Sequence, residues 1–120
     1  YLILEYCEKG DLDAHITRSI EHRERFPEEL LAYWSLQILS TIDYLHKNGI
    51  MHRDIKAKNV FLTKDANIKL GDFGVSRVMT PEEEVANTYT GTVTNISTEL
   101  LRNQNYDYKT DIWSTGNLCV

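Results

Sequence analysis

Cysteine, positive charge and long apolar runs are all in short supply in this chain. Its 120 residues hold two cysteines, Cys7 and Cys119, far apart and with no closely spaced partner. That count disfavours a disulfide framework or a zinc site and fits a reducing compartment. No apolar run approaches the roughly 20 residues that cross a bilayer. No basic region with an apolar leader opens the chain, so no signal peptide is expected. Thirteen Lys and Arg stand against 18 Asp and Glu, a net charge of −5. This balance argues against nucleic acid or an anionic membrane as the main partner. Repeats and low-complexity tracts are missing too. Asn95-Ile96-Ser97 matches a glycosylation acceptor, which reads as a chance match in a cytosolic chain.

The apolar fraction is ordinary for a globular protein, so a core can form. Tyr1 to Tyr6 is rich in strand formers and is followed by Gly10, which predicts a strand and a linker. Asp11 is a good N-cap for a short helix through about Ile20. Arg18 to Arg25 is dense in charge and reads as a helix end and a solvated loop. Pro27, Glu28 and Glu29 suit the start of a second helix. Leu30, Leu31, Trp34, Ile38, Ile42 and Leu45 then recur at helical spacing, as a core stripe, and Gly49 closes the helix in a left-handed conformation. Val60 to Thr63 and Ile68 to Gly71 are short strands joined by a turn at Lys64-Asp65-Ala66-Asn67. Met79 to Thr90 is polar and aperiodic, a loop; Glu99 begins a short helix, and Asp111-Ile112-Trp113 begins a buried one.

Chemistry concentrates around the predicted hairpin. Before it runs His52-Arg53-Asp54-Ile55-Lys56-Ala57-Lys58-Asn59, and after it Asp72-Phe73-Gly74. An aspartate can take the proton of an attacking hydroxyl, a lysine can neutralise a moving phosphate, and Asn and Asp oxygens can hold Mg²⁺. The hairpin brings Asp54, Asn59 and Asp72 to one end of a small sheet. Taken singly, each is a turn or cap residue; in this order together, they point to phosphoryl transfer.

These motifs, with Glu5-Tyr6-Cys7, Asn59-Val60-Phe61-Leu62-Thr63, Leu70-Gly71-Asp72-Phe73-Gly74 and Tyr108-Lys109-Thr110-Asp111-Ile112-Trp113-Ser114, make the chain resemble a eukaryotic protein kinase. Within kinases it is most similar to the NIMA-related (NEK) serine/threonine kinases. The resemblance covers the whole chain and implies an α+β protein-kinase-like fold. Its large lobe is mostly α-helical, with a short β-hairpin at the active site. Residues 1–10 are expected to be the last small-lobe strand and the hinge, and 11–120 part of the large lobe. Neither G-x-G-x-x-G nor V-A-I-K occurs, and no initiator Met opens the chain. A fragment of a kinase domain truncated at both ends is therefore expected, inactive and marginally folded when alone, with apolar residues of its last helix such as Ile112, Trp113 and Leu118 exposed.

By resemblance, Asp54 is the catalytic base and Lys56 offsets charge at the γ-phosphate of ATP. Asn59 and Asp72 are the Mg²⁺ ligands. Leu4 is the gatekeeper, the backbone of Glu5 and Cys7 meets the adenine edge, Asp11 the ribose, and Phe61 forms the floor under the ring. Arg53 gathers a phosphate from the activation loop. Thr88, with Thr90 as its rival, matches the activating phosphosite, and Thr92 the threonine that bonds the catalytic Asp and Lys. His52 and Phe73 are expected to pack rather than react.

The family reads G-T-P-x-Y-x-S-P-E where this chain has Gly91-Thr92-Val93-Thr94-Asn95-Ile96-Ser97-Thr98-Glu99. Loss of both prolines should loosen the segment that docks substrate. Thr115 and Asn117 replace the family's usual apolar residue and cysteine, and polar groups there need buried partners. Three functions compete. One is an ATP- and Mg²⁺-dependent kinase acting on protein Ser/Thr hydroxyls, in the cytoplasm or with nuclear or cytoskeletal association. The second is a pseudokinase or scaffold that binds nucleotide or partner proteins without transfer. The third is a truncated product without a stable fold. Neither nucleic acid nor membrane is expected as a partner.

Overall fold

A computed structural model describes residues 1, 3–78 and 108–118. The expected loop from Met79 to Thr90, the threonines 88, 90 and 92, the altered segment 93–98, the helix at Glu99 and Cys119 lie outside the described residues.

Helix α1 spans Leu12–His22. Asp11 precedes it in extended conformation, and its Oδ1 accepts the Ala14 N–H at 2.8 Å, satisfying one of the orphan donors of the first turn. The helix runs two residues past Ile20. Arg23 ends it with φ 55°, and its N–H and that of Glu24 return to the carbonyls of Ile20 and Ser19. Those two bonds offset the cost of a left-handed residue that bears a Cβ.

Helix α2, Glu28–Lys47, is the long member. Pro27 precedes it and lends its carbonyl to the N–H groups of Leu30 and Leu31. Glu28 and Glu29 at the N-terminus and His46 and Lys47 at the C-terminus complement the helix dipole. Trp34, Ile38, Ile42 and Leu45 are buried, while Leu31 is exposed, on the edge of the stripe. Gly49 follows with φ 70°, the left-handed residue that lets its N–H turn back to the carbonyl of His46 at 2.9 Å.

Two small antiparallel pairs follow. Strand β1, Ile50–Met51, pairs with β4, Arg77–Val78. Strand β2, Val60–Leu62, pairs with β3, Ile68–Leu70, in the register Val60 to Leu70, Phe61 to Lys69 and Leu62 to Ile68. Val60 and Leu62 point into the core and Phe61 away from it, as the two-residue period requires. A 3-10 turn, Ala57–Asn59, leads into β2. Leu12, Trp34, Ile38, Ile42, Ile55, Val60, Leu62 and Ile68 form one core that ties α1, α2, the loop before the hairpin and the hairpin together.

Helix α2 also braces the hairpin turn through polar groups. Trp34 Nε1 donates to the Ala66 carbonyl at 2.9 Å, and Tyr33 Oη donates to Asn67 Oδ1 at 2.7 Å. Gln37 Oε1 accepts the Ile68 N–H at 2.8 Å. The left-handed position of this turn falls on Ala66, φ 61°, rather than on the Asp or Asn that favour it.

One expected strand is corrected, and one expected helix start. Among the described residues of 1–6 there is no strand, and Tyr1, Ile3, Leu4 and Tyr6 are exposed. A strand needs a neighbour for its backbone groups, and this segment pairs with none among the described residues. Pairing starts later: Lys9 N–H donates to the Leu62 carbonyl at 3.1 Å, Leu62 N–H to the Gly10 carbonyl at 2.8 Å, and Asp11 bridges to Phe61. The last helix, α3, spans Tyr108–Leu118, starting three residues early, and it buries a polar side. Thr110, Asp111, Ser114 and Thr115 are buried while Ile112 and Trp113 are exposed. Thr115 meets its need for a partner by donating to the Asp111 carbonyl at 2.7 Å.

Candidate active site

The segment between β1 and β2 is shaped by one buried carboxylate. Asp111 on α3 is 2% exposed. Its Oδ2 accepts the backbone N–H of His52 at 2.9 Å and its Oδ1 that of Arg53 at 2.8 Å. His46 Nε2, at the end of α2, lies 2.8 Å from the same Oδ2. These bonds hold Arg53 at φ 71°, a conformation costly for a residue with a Cβ, and turn the chain just ahead of Asp54. Sequence reasoning gave Asp111 no role. Its signal was an acid inside an apolar helical pattern, which must find partners to be buried.

At the turn, Lys56 Nζ lies 2.7 Å from Asp54 Oδ2. Asn59 Nδ2 donates to the same oxygen at 3.0 Å and to the Asp54 carbonyl at 2.8 Å. The pair is largely screened from water, with Asp54 13% and Lys56 25% exposed. Asn59 is buried at the end of the 3-10 turn, and its nitrogen is committed to Asp54. Its amide oxygen is therefore the atom to offer a cation.

Asp72 is tied to this cluster through its neighbour. Gly71 N–H donates to the Asn59 carbonyl at 2.8 Å, and the Gly71 carbonyl lies 3.0 Å from His52 Nε2. Asp72 itself is exposed, has φ 59°, and accepts the Gly74 N–H at 3.3 Å. His52 is fully buried and meets Phe73 edge to face, with ring centroids 4.9 Å apart, while Phe73 itself stays 45% exposed. Ser76 Oγ donates to the His52 carbonyl at 3.2 Å.

The expected nucleotide contacts fall on the segment before α1 and on Phe61 of β2. Leu4 and Glu5 sit on the exposed lead-in, where Glu5 pairs with Lys69 at 3.3 Å, the residue opposite Phe61. Cys7 is half-buried; burial, and then the Glu5 and Glu8 carboxylates, push its thiol above the ordinary value. Asp11 uses Oδ1 on its helix cap, beside Phe61 in the bridge. Arg53 is buried, and its expected partner Thr88 is outside the described residues.

The donor set fits Mg²⁺. Among the described residues no cluster of three or more His, Cys, Asp or Glu forms a closed metal cage. Magnesium bound to a nucleotide needs none, because phosphates and water supply most of its oxygens and the protein adds one or two. The Asn59 amide oxygen and the Asp72 carboxylate would supply that number.

An aspartate with a lysine on one oxygen, an amide beside it and a D-F-G turn tethered to the same loop is the arrangement of a protein kinase. The chain belongs to that family: residues 1–120 match the protein kinase domain throughout. It is similar to the human serine/threonine-protein kinase Nek11, 47% identical over 113 residues, which are 94% of this chain and 17% of that protein. Similarity to Nek3 of Oryza sativa subsp. japonica is 44% over 115 residues, 96% of the chain and 19% of the relative. With mouse Nek1 it is 41% over 120 residues, 100% and 10%. The chain thus spans no more than a fifth of these relatives. The family implies ATP, with Mg²⁺, and a protein substrate. No helix among the described residues is long and apolar enough to cross a membrane.

Proposed function

We propose that the protein containing this chain is an ATP- and Mg²⁺-dependent serine/threonine kinase of NEK type, working in the cytoplasm. Residues 1–10 contribute its hinge and 11–120 part of its large lobe. The observation that carries this reading is Asp54 Oδ2 held between Lys56 Nζ and Asn59 Nδ2 at 2.7 and 3.0 Å. Asp54 orients the substrate hydroxyl and takes its proton late in the transfer. Lys56 sits beside that proton acceptor, where the moving phosphoryl group arrives, and offsets its charge. Asn59 and Asp72 would hold the metal, which would supply positive charge against the phosphates. Leu4, the Glu5 and Cys7 backbone, Asp11 and Phe61 take the nucleoside. Arg53 answers a phosphate on Thr88, and Thr92 supports Asp54 and Lys56.

Two variants of the full-length protein test this. Asp54→Asn should keep ATP affinity in calorimetry and lower turnover by at least about 10²-fold. Asp72→Ala should lose the magnesium-dependent part of ATP binding. Wild-type turnover in Asp54→Asn removes Asp54 as the base. ATP binding without transfer by the wild type moves the protein to the pseudokinase reading.

A further inference from the structure

We propose that Gly71 is a specificity-determining residue of the nucleotide site: its missing side chain makes the room in which the Phe61 ring sits. This rests on the kinase reading above, in which Phe61 lies under the purine.

Glycine is not needed at 71 for its backbone. Among the described residues the glycines with positive φ are Gly10 and Gly49. Space explains it instead. A Cβ built on Gly71 would stand 2.9 Å from Phe61 Cε2 and 3.1 Å from Phe61 Cδ2. The first distance is shorter than carbon atoms tolerate, so something must move.

The backbone of Gly71 is held on both sides. Its N–H donates to the Asn59 carbonyl at 2.8 Å and its carbonyl lies 3.0 Å from His52 Nε2. Backing away would break the two bonds that tether Asp72 to the catalytic loop. The backbone of Phe61 is held as well, between buried Val60 and Leu62, opposite Lys69 and bridged to Asp11. What remains free to turn is the Phe61 ring, which points away from the core and is half-buried. A side chain at 71 therefore acts on the ring and, through it, on the surface offered to the base. A wide aromatic floor requires glycine at 71; a narrower aliphatic floor admits a larger residue there.

The test is a double-substitution cycle in the full-length protein, read by steady-state kinetics in ATP. Gly71→Ala should raise KM for ATP by about tenfold and change kcat far less, since the displaced ring touches the base and not the transferring phosphate. Phe61→Leu, which shortens the floor, should remove that sensitivity: adding Gly71→Ala to it should shift KM by less than about twofold. An equal KM rise in both backgrounds would overturn the proposal, because the ring would then not be the intermediary. A fall in kcat at unchanged KM would also overturn it, by placing the effect at Asp72 next door. Urea midpoints of the four variants separate the two levels of the reading. If the wild type neither binds ATP nor transfers phosphate, yet Gly71→Ala destabilises only when Phe61 is present, the packing stands. The kinase reading falls in that case, and the nucleotide role of Gly71 with it.

Discussion

Replacing Asp111 should damage this domain more than replacing any residue of the catalytic motif. In the folded chain its two oxygens accept the N–H groups of His52 and Arg53 and face His46, all within 2.9 Å. His52 and Arg53 are buried, so water does not readily substitute. Each buried N–H left without an acceptor costs about 1–3 kcal/mol. Asp111→Ala orphans two, and it also strips His46 of its carboxylate, for a total of about 3–6 kcal/mol. A domain has only about 5–15 kcal/mol to lose. The φ of 71° at Arg53 adds to the effect, because nothing then holds the loop in that conformation. Asp111→Asn is the milder probe. Its amide keeps one acceptor but turns an NH₂ toward the other N–H, for about half the loss. Urea denaturation of the full-length protein, followed by tryptophan fluorescence, measures both. Turnover should fall in parallel, since Asp54 follows Arg53 directly. A loss below about 1 kcal/mol for Asp111→Ala would mean that these N–H groups find other partners and that Asp111 does not shape the loop.

Trp34→Phe keeps the ring packed near Phe26 and removes only the N–H that reaches the Ala66 carbonyl. It should cost about 1 kcal/mol in urea denaturation, and an unchanged midpoint would show that the hairpin turn does not depend on the brace. Cys7, with its thiol pushed above the ordinary value by burial and by Glu5 and Glu8, holds less thiolate than a free cysteine at pH 8. Iodoacetamide should label it more slowly than a cysteine peptide, with the rate still climbing as pH rises through the ordinary thiol range. Equal rates at pH 8 would contradict the environment described.

Much of the fold could be read along the chain, because the signals are local. The Asp11 cap, the 3.6-residue stripe from Trp34 to Leu45, the left-handed Gly49 and the alternation at Val60-Phe61-Leu62 each depend on neighbours a few residues away. The grouping of Asp54, Lys56 and Asn59 was legible for the same reason, since one tight turn brings all three together. Tertiary structure decided what depends on distant partners. The segment expected as a strand at Tyr1 to Tyr6 joins no sheet among the described residues, although its composition is right. The polar buried side of α3 follows from Asp111 serving backbone groups some 60 residues earlier, an exchange no periodicity records. The left-handed residue at Ala66 likewise owes its place to Trp34 and Tyr33 on α2. Local sequence sets which backbone conformations are cheap. Burial of charge and the satisfaction of distant hydrogen bonds set which costly ones are kept, and those are the ones that aim Asp54.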